Sequence, residues 1–143
     1  MTTTTQPGGA LNDAARRLAT LRGNCMGAAV LLIAQVGLGM GLNLYVTLPA
    51  HKSFLATVFS SAVLAVHAIV ALALLGAAIS ALVRAIRMRR AVAFTSVGLA
   101  AIVAAAAAGA SFAGSQSNGA SLGMALATAG AMFCYLSAIF SMR

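Results

Sequence analysis

Four long runs of apolar residues, separated by short polar segments, dominate the sequence. The runs cover approximately residues 24–48, 54–83, 91–113 and 120–140. Each run reaches or exceeds the roughly 20 residues that a helix needs to cross a hydrocarbon core about 30 Å thick. Because a backbone in lipid must satisfy its own hydrogen bonds, a helix is the expected form of each run. The pattern predicts an all-α fold with four membrane-spanning helices.

Two segments precede the first run. Residues 1–10 are polar and contain one proline and two glycines, so we expect a disordered tail. Residues 11–23 carry arginines and place Leu11, Leu18 and Leu21 on one helical face. This segment is predicted to be a basic juxtamembrane amphipathic helix, which either lies on the membrane surface or extends the first spanning helix. The transmembrane domain then occupies residues 24–143.

The connections between the runs predict the topology. They are short, so consecutive helices are expected to be adjacent and antiparallel. Lys52 alone falls on one side of the predicted membrane. The other eight basic residues fall on the opposite side: Arg16, Arg17, Arg22, Arg84, Arg87, Arg89, Arg90 and Arg143. Since basic loops stay in the cytoplasm, this asymmetry predicts an up-down-up-down four-helix bundle in a bacterial inner membrane, with both termini cytoplasmic.

Composition supports lipid as the main solvent. Of the 143 residues, 62% are hydrophobic and only 7% are charged, whereas a soluble domain carries about 25% charged residues. The net charge of +8 would suggest nucleic acid in a soluble protein. Here the arginines flank apolar runs, so we expect a bilayer with anionic headgroups as the partner, and no nucleic acid. The residues expected to contact headgroups are Arg16, Arg17, Arg22, Arg84, Arg87, Arg89 and Arg90.

Small residues along the runs indicate close helix packing. The third run is rich in alanine, Gly37 and Gly41 form a G-x-x-x-G pair in the first, and Gly123, Ala127 and Ala131 follow one face of the fourth. Small side chains let helix backbones approach each other in lipid. The pattern favours a protein that associates with other helices, as a homo-oligomer or as a subunit of a larger membrane complex.

Aromatic anchors at the membrane surface are few. Tryptophan, the usual interfacial residue, is absent. Tyr45, Phe54 and Tyr135 are expected to take its place, because an amphipathic aromatic ring suits the headgroup layer.

Polar residues inside the first two runs are the candidates for a functional site. We define the polar stripe as Gln35, Asn43, Ser60, Ser61 and His67. With the first turn centred near His51, Gln35 is level with His67, because the helices rise about 1.5 Å per residue. Asn43 is level with Phe59, which is next to Ser60 and Ser61. Two interpretations stay open. The stripe supplies hydrogen bonds between helices, or it lines a site, as polar groups inside membranes often do.

His67 is the titratable residue of this stripe, and it allows two further functions. One is a haem-binding or quinone-linked redox protein, in which Met40, Met124 or His67 of a second copy would complete haem ligation. The other is a transporter or channel for a neutral solute. A metal site is not expected, because the two histidines and two cysteines lie at different depths.

Enzymatic motifs are missing from the sequence. It contains no glutamate, Asp13 is its single acidic residue, and neither G-x-S-x-G nor H-E-x-x-H occurs. Small multidrug exporters are similar in length and helix count, but their exchange mechanism uses a membrane-embedded glutamate that this chain lacks. The sequence therefore predicts a small non-enzymatic membrane protein that needs no cofactor, either a helix-packing accessory subunit or a self-associating bundle.

Three stretches carry a resemblance to known proteins. They are GMGLNLYVTLP at 39–49, HAIVALALLGA at 67–77 and GASFAGSQSNGASLGMALATAGAMFCY at 109–135. They resemble small four-helix membrane proteins of high-GC bacteria that have no assigned activity. The resemblance implies a four-helix integral membrane protein and transfers no functional residues.

Overall fold

All regular structure in the described part of the chain is α-helical. The computed structural model describes residues 7–45, 61–115 and 117–142. The helices are α1 (Pro7–Tyr45), α2 (Ala62–Met88), α3 (Val92–Ser115) and α4 (Asn118–Ser141). Each contains a stretch long and apolar enough to cross a membrane. The predicted all-α fold with four helices that can span a membrane is confirmed.

The first two helices extend beyond the bounds that hydropathy predicts. Helix α1 begins at Pro7, within the predicted tail, because proline is well tolerated in a first helical turn. It continues without a break through 11–23, and its 39 residues correspond to about 58 Å. Helix α2 runs to Met88 and includes two arginines, which are good helix formers. Residues 46–48 and 54–60 of the predicted runs lie outside the described residues.

Helices α2 and α3 are joined by a tight turn of three residues. Arg89 adopts a left-handed conformation with φ of 52°, and Ala91 has φ of 56°. The backbone N–H of Arg89 donates to Ile86, and that of Arg90 donates to Ala85, each at 3.1 Å. These bonds satisfy carbonyls at the end of α2, in the manner of a C-cap that usually employs glycine.

Contacts at two levels show that α1 and α2 run antiparallel. Asn24 is hydrogen-bonded to Ser80, and Gln35, further along α1, contacts His67, which is earlier in α2. Helices α3 and α4 show the same order. A Cβ atom at Gly98 would meet Tyr135, whereas one at Gly109 would lie 3.3 Å from the sulfur of Met124. Each pair is therefore a helical hairpin.

The two hairpins pack side by side. Helix α1 contacts α2 and α4, and α3 contacts the same two helices, with the most extensive contact between α3 and α4. That contact agrees with their alanine and glycine content, since small residues allow close approach.

The buried core lies at the end of the bundle where α2 meets α3. On α1 the buried residues fall between Leu21 and Leu32, and on α2 between Leu74 and Ala85. Among the described residues none is buried on α1 beyond Leu32 or on α2 before Leu74. Alanines contribute much of this core, and such small side chains allow helices to approach closely. The core alanines are Ala28, Ala78, Ala81, Ala85, Ala131 and Ala138.

Candidate functional site

The centre of the polar stripe is a contact between Gln35 on α1 and His67 on α2. Gln35 Nε2 donates to the backbone carbonyl of His67 at 3.1 Å and lies 3.2 Å from His67 Nε2. The two residues are level, as their equal distances from the turn predict. Both side chains are half-buried. The contact joins the two helices within the stretches that are long and apolar enough to span a membrane.

The backbone carbonyl determines the protonation pattern of this pair. If the Gln35 amide were reversed, its oxygen would face the carbonyl oxygen of His67, and two acceptors would repel each other. The amide nitrogen therefore faces both His67 atoms, and His67 Nε2 accepts its second hydrogen. A neutral imidazole then carries its own proton on Nδ1. This assignment makes His67 a donor at Nδ1 and Gln35 an acceptor at Oε1.

Neither of these remaining atoms has a partner. Gln35 Oε1 and His67 Nδ1 are buried and form no hydrogen bond in the described part of the chain. Leaving a buried polar group unpaired costs roughly 1–3 kcal/mol. The Gln35–His67 pair thus links the helices but leaves one donor and one acceptor unused.

The rest of the polar stripe is only partly visible. A Cβ atom at Gly39 would lie 3.6 Å from the His67 ring, so Gly39 follows Gln35 along the same face. Ser61 is the N-cap residue of α2, and its side chain forms no cap bond there. Ser60 and the side chain of Asn43 lie outside the described residues, and so does the predicted contact between them.

A second polar pair was not predicted from the sequence. Asn24 Nδ2 donates to Ser80 Oγ at 2.9 Å, eleven residues before Gln35 on α1. The register that predicts the level of Gln35 and His67 places Asn24 level with Ala78, two residues or about 3 Å from Ser80. In the sequence, Asn24 marks the start of the first apolar run, and the polar stripe does not include it.

Tyr135 is a core residue and not the interfacial anchor that the sequence suggests. Its side chain is 0% exposed, and its hydroxyl has no hydrogen-bond partner among the described residues. The ring lies over Gly98, where an added Cβ would come within 2.9 Å of Tyr135 Cε2. The glycine leaves the space that a tyrosine ring needs between α3 and α4. Tyr45, by contrast, is 86% exposed, and Phe54 lies outside the described residues.

The seven arginines predicted to contact headgroups are all exposed. Three lie on α1, and four lie on the last turns of α2 and in the turn that follows. They occupy the end of the α1–α2 hairpin that also contains the buried core. Their positions are Arg16, Arg17, Arg22, Arg84, Arg87, Arg89 and Arg90.

The geometry around His67 bears on the haem alternative. Its Nε2 atom is engaged by Gln35, so ligation through this atom would require the amide to move away. Met40 is largely exposed, and Met124 packs near Gly109 between α3 and α4. In the described ranges no three histidine, cysteine or acidic residues are grouped as a metal site would need.

The outward side of α1 carries a row of small residues that one valine interrupts. We call it the α1 outer face, and it consists of Gly23, Gly27, Val30, Ala34, Gly37 and Gly41. Their spacing alternates between four and three, so they share one side of the helix, opposite the buried Cys25 and Leu32. No described atom lies within 4 Å of a Cβ placed on any of the four glycines. The G-x-x-x-G pair therefore faces away from the described bundle.

No protein-family model matches this chain, and neither a curated protein nor a solved structure matches it significantly.

Proposed function

We propose that this protein is a non-enzymatic, multi-pass protein of a bacterial inner membrane that acts by helix packing, and that it associates with a second copy of itself. It forms an up-down-up-down bundle with both termini cytoplasmic. The antiparallel hairpins and the arginines at one end support this topology. The α1 outer face is the observation that supports association.

The α1 outer face differs from an ordinary lipid-facing surface. Helix α2 exposes large side chains to the outside, such as Val66, Ile69 and Leu72. Helix α1 also exposes large side chains, such as Ile33 and Met40, but its outer face carries glycine or alanine at five of six positions that span about 27 Å. In lipid, apolar burial drives helix association only weakly, and small residues matter because backbones can then approach closely. A shallow glycine face thus favours a partner helix over acyl chains.

A second copy of the chain could cover the α1 outer face. A two-fold symmetric dimer places the same patch of each subunit against its counterpart, so α1 would pack against α1. Both contacting faces would then be flat and rich in glycine, which is the self-complementary case of small-residue packing. This self-complementarity favours self-association over binding of an unrelated partner subunit.

The test is energy transfer between donor-labelled and acceptor-labelled copies in liposomes. We expect transfer for the unmodified protein and its loss in the Gly27→Leu/Gly37→Leu variant, because leucine separates the backbones. Gly76→Leu is the matched control, since Gly76 is an exposed glycine on α2 with no described atom near its Cβ position. Circular dichroism checks that helix content is retained.

Two results would contradict self-association. One is equal transfer in the α1 variant and in the control. The other is absence of transfer for the unmodified protein together with stoichiometric co-purification of a different membrane protein, which would identify an accessory subunit.

A second candidate function is quinone-linked redox chemistry, favoured by the unused atoms at Gln35 and His67. The Nδ1–H of His67 can donate to a quinone carbonyl, and Gln35 Oε1 can accept from a quinol hydroxyl. Titration of a short-chain quinone into the reconstituted protein tests this, with His67→Leu as the variant. Equal quinone binding by both proteins would contradict this function. A haem absorption band that is present in the unmodified protein and lost in His67→Leu would instead indicate haem binding.

A further inference from the structure

Seven arginines form a band around one end of the α1–α2 hairpin, and we call it the arginine collar. All seven side chains are exposed. The collar comprises Arg16, Arg17, Arg22, Arg84, Arg87, Arg89 and Arg90. It lies immediately beside the apolar parts of α1, α2 and α3, where the phosphate layer of a bilayer would be.

Both helices contribute to the same level of the collar. The hydrogen bond between Asn24 and Ser80 gives the register of the hairpin. Arg17 lies seven residues, or about 10 Å, before Asn24, and Arg87 lies seven residues after Ser80. The two arginines are therefore level. Arg84 lies between Ser80 and that level, and Arg22 lies close to the Asn24 end. The arginines of the two helices thus occur at the same levels of the hairpin.

The chain cannot neutralise the collar itself. Asp13 is the single acidic side chain in the sequence, so at most one of the seven charges can find an internal carboxylate partner. The turn concentrates the remaining charge, because Arg89 and Arg90 lie two and three residues after Arg87. Such a surface repels itself unless anions bind it.

We infer that the arginine collar binds the phosphates of anionic phospholipids, and that these phosphates bridge the arginines of α1 to those of α2. Guanidinium groups bind phosphate oxygens through two parallel N–H donors. A phosphate between Arg17 and Arg87 would connect the two helices at the end of the hairpin. The inference does not depend on self-association, since each monomer carries a complete collar.

The experiment measures thermal unfolding of the purified protein in detergent micelles doped with phosphatidylglycerol or with phosphatidylcholine. Micelles remove any effect of membrane orientation. We expect the melting temperature to rise with phosphatidylglycerol only. Arg16→Gln/Arg17→Gln and Arg87→Gln/Arg90→Gln should each abolish most of this rise. The combined variant should lose little more than either, because a bridge needs both sides.

Arg17→Lys/Arg87→Lys is the charge-matched control and should retain part of the shift, since lysine keeps the charge but not the paired donors. Inorganic phosphate in phosphatidylcholine micelles separates the two phosphate sources. An equal shift with inorganic phosphate would overturn the lipid assignment. Equal shifts with both lipids, or additive losses in the two arginine variants, would overturn the bridge.

Discussion

At the scale of single residues, unpaired polar atoms and close contacts affect the stability of this fold in ways that hydropathy does not predict. Tyr135 occupies the core because Gly98 leaves room for its ring, yet its hydroxyl is buried without a described partner. Gln35 and His67 leave one acceptor and one donor unused in the same way. In lipid no water can compensate for such atoms, so their removal or replacement should change stability measurably.

Replacement of Tyr135 by phenylalanine is expected to stabilise the protein. The ring keeps its packing on Gly98, and the change removes a buried hydroxyl whose burial costs about 1 kcal/mol or more. Reversible unfolding in micelles should show a higher midpoint for Tyr135→Phe. Tyr45→Phe, at an exposed position, should leave the midpoint unchanged. A lower midpoint for Tyr135→Phe would mean that the hydroxyl is hydrogen-bonded in the folded protein.

Gly98→Ala is expected to destabilise the packing of α3 against α4. Its methyl group would lie 2.9 Å from Tyr135 Cε2 and 3.1 Å from Tyr135 Cζ, and such overpacking typically costs 1–3 kcal/mol, with about 2 kcal/mol expected here. Gly130→Ala on α4 is the control, because no described atom lies near that position. Unfolding midpoints of the two variants should differ clearly, and equal midpoints would show that the ring can move aside.

At the scale of helices, the turn between α2 and α3 is the most constrained connection described. It reverses the chain within three residues and holds Arg89 and Ala91 at positive φ. These are the two non-glycine residues with positive φ in the described chain. Hydropathy predicts that α2 ends near residue 83, but the helix continues to Met88 because arginine is a good helix former.

Arg89→Gly should stabilise this turn. A left-handed conformation costs an ordinary residue about 1 kcal/mol, and glycine adopts it without that cost. Arg90→Gly removes the same charge from the next position, where φ is not positive, and should give no gain. The unfolding midpoint in uncharged micelles compares the two, and equal behaviour would argue against strain at Arg89.

At the scale of the whole molecule, the arginine collar and the buried core lie at the same end of the bundle. The buried core and the exposed arginines share one end of the bundle, while α1 beyond Leu32 and α2 before Leu74 bury no described residue. The protein is thus packed most tightly next to its charged end. The proposed topology puts this end in the cytoplasm.

Thiol labelling in intact cells should establish that orientation. Cys25 and Cys134 are buried and give little background. We expect an impermeant maleimide to label Ser117→Cys from outside, because the connection before α4 carries no charge, and to leave Arg90→Cys unlabelled until the cells are permeabilised. The reverse pattern would invert the topology, and equal labelling of both would indicate two orientations.

Three contacts show which features of the tertiary structure could be predicted from the sequence. The level of Gln35 and His67 follows from their distances to the turn, because a helix rises uniformly along the chain. The same rule places Asn24 within two residues of the level of Ser80, so it indicates that the two residues lie close together. No such rule could assign Tyr135 to the core, because its burial depends on the side-chain volume of Gly98 on another helix.

By itself the sequence determined the number of helices and that each is long and apolar enough to span a membrane, since the length and composition of an apolar run set both properties. The charge asymmetry of its loops also predicted a topology. Tertiary structure alone decided which face of each helix is buried. Small residues occur on both sides of α1, and only the positions of α2 and α4 distinguish the side that packs from the glycine row that faces outward.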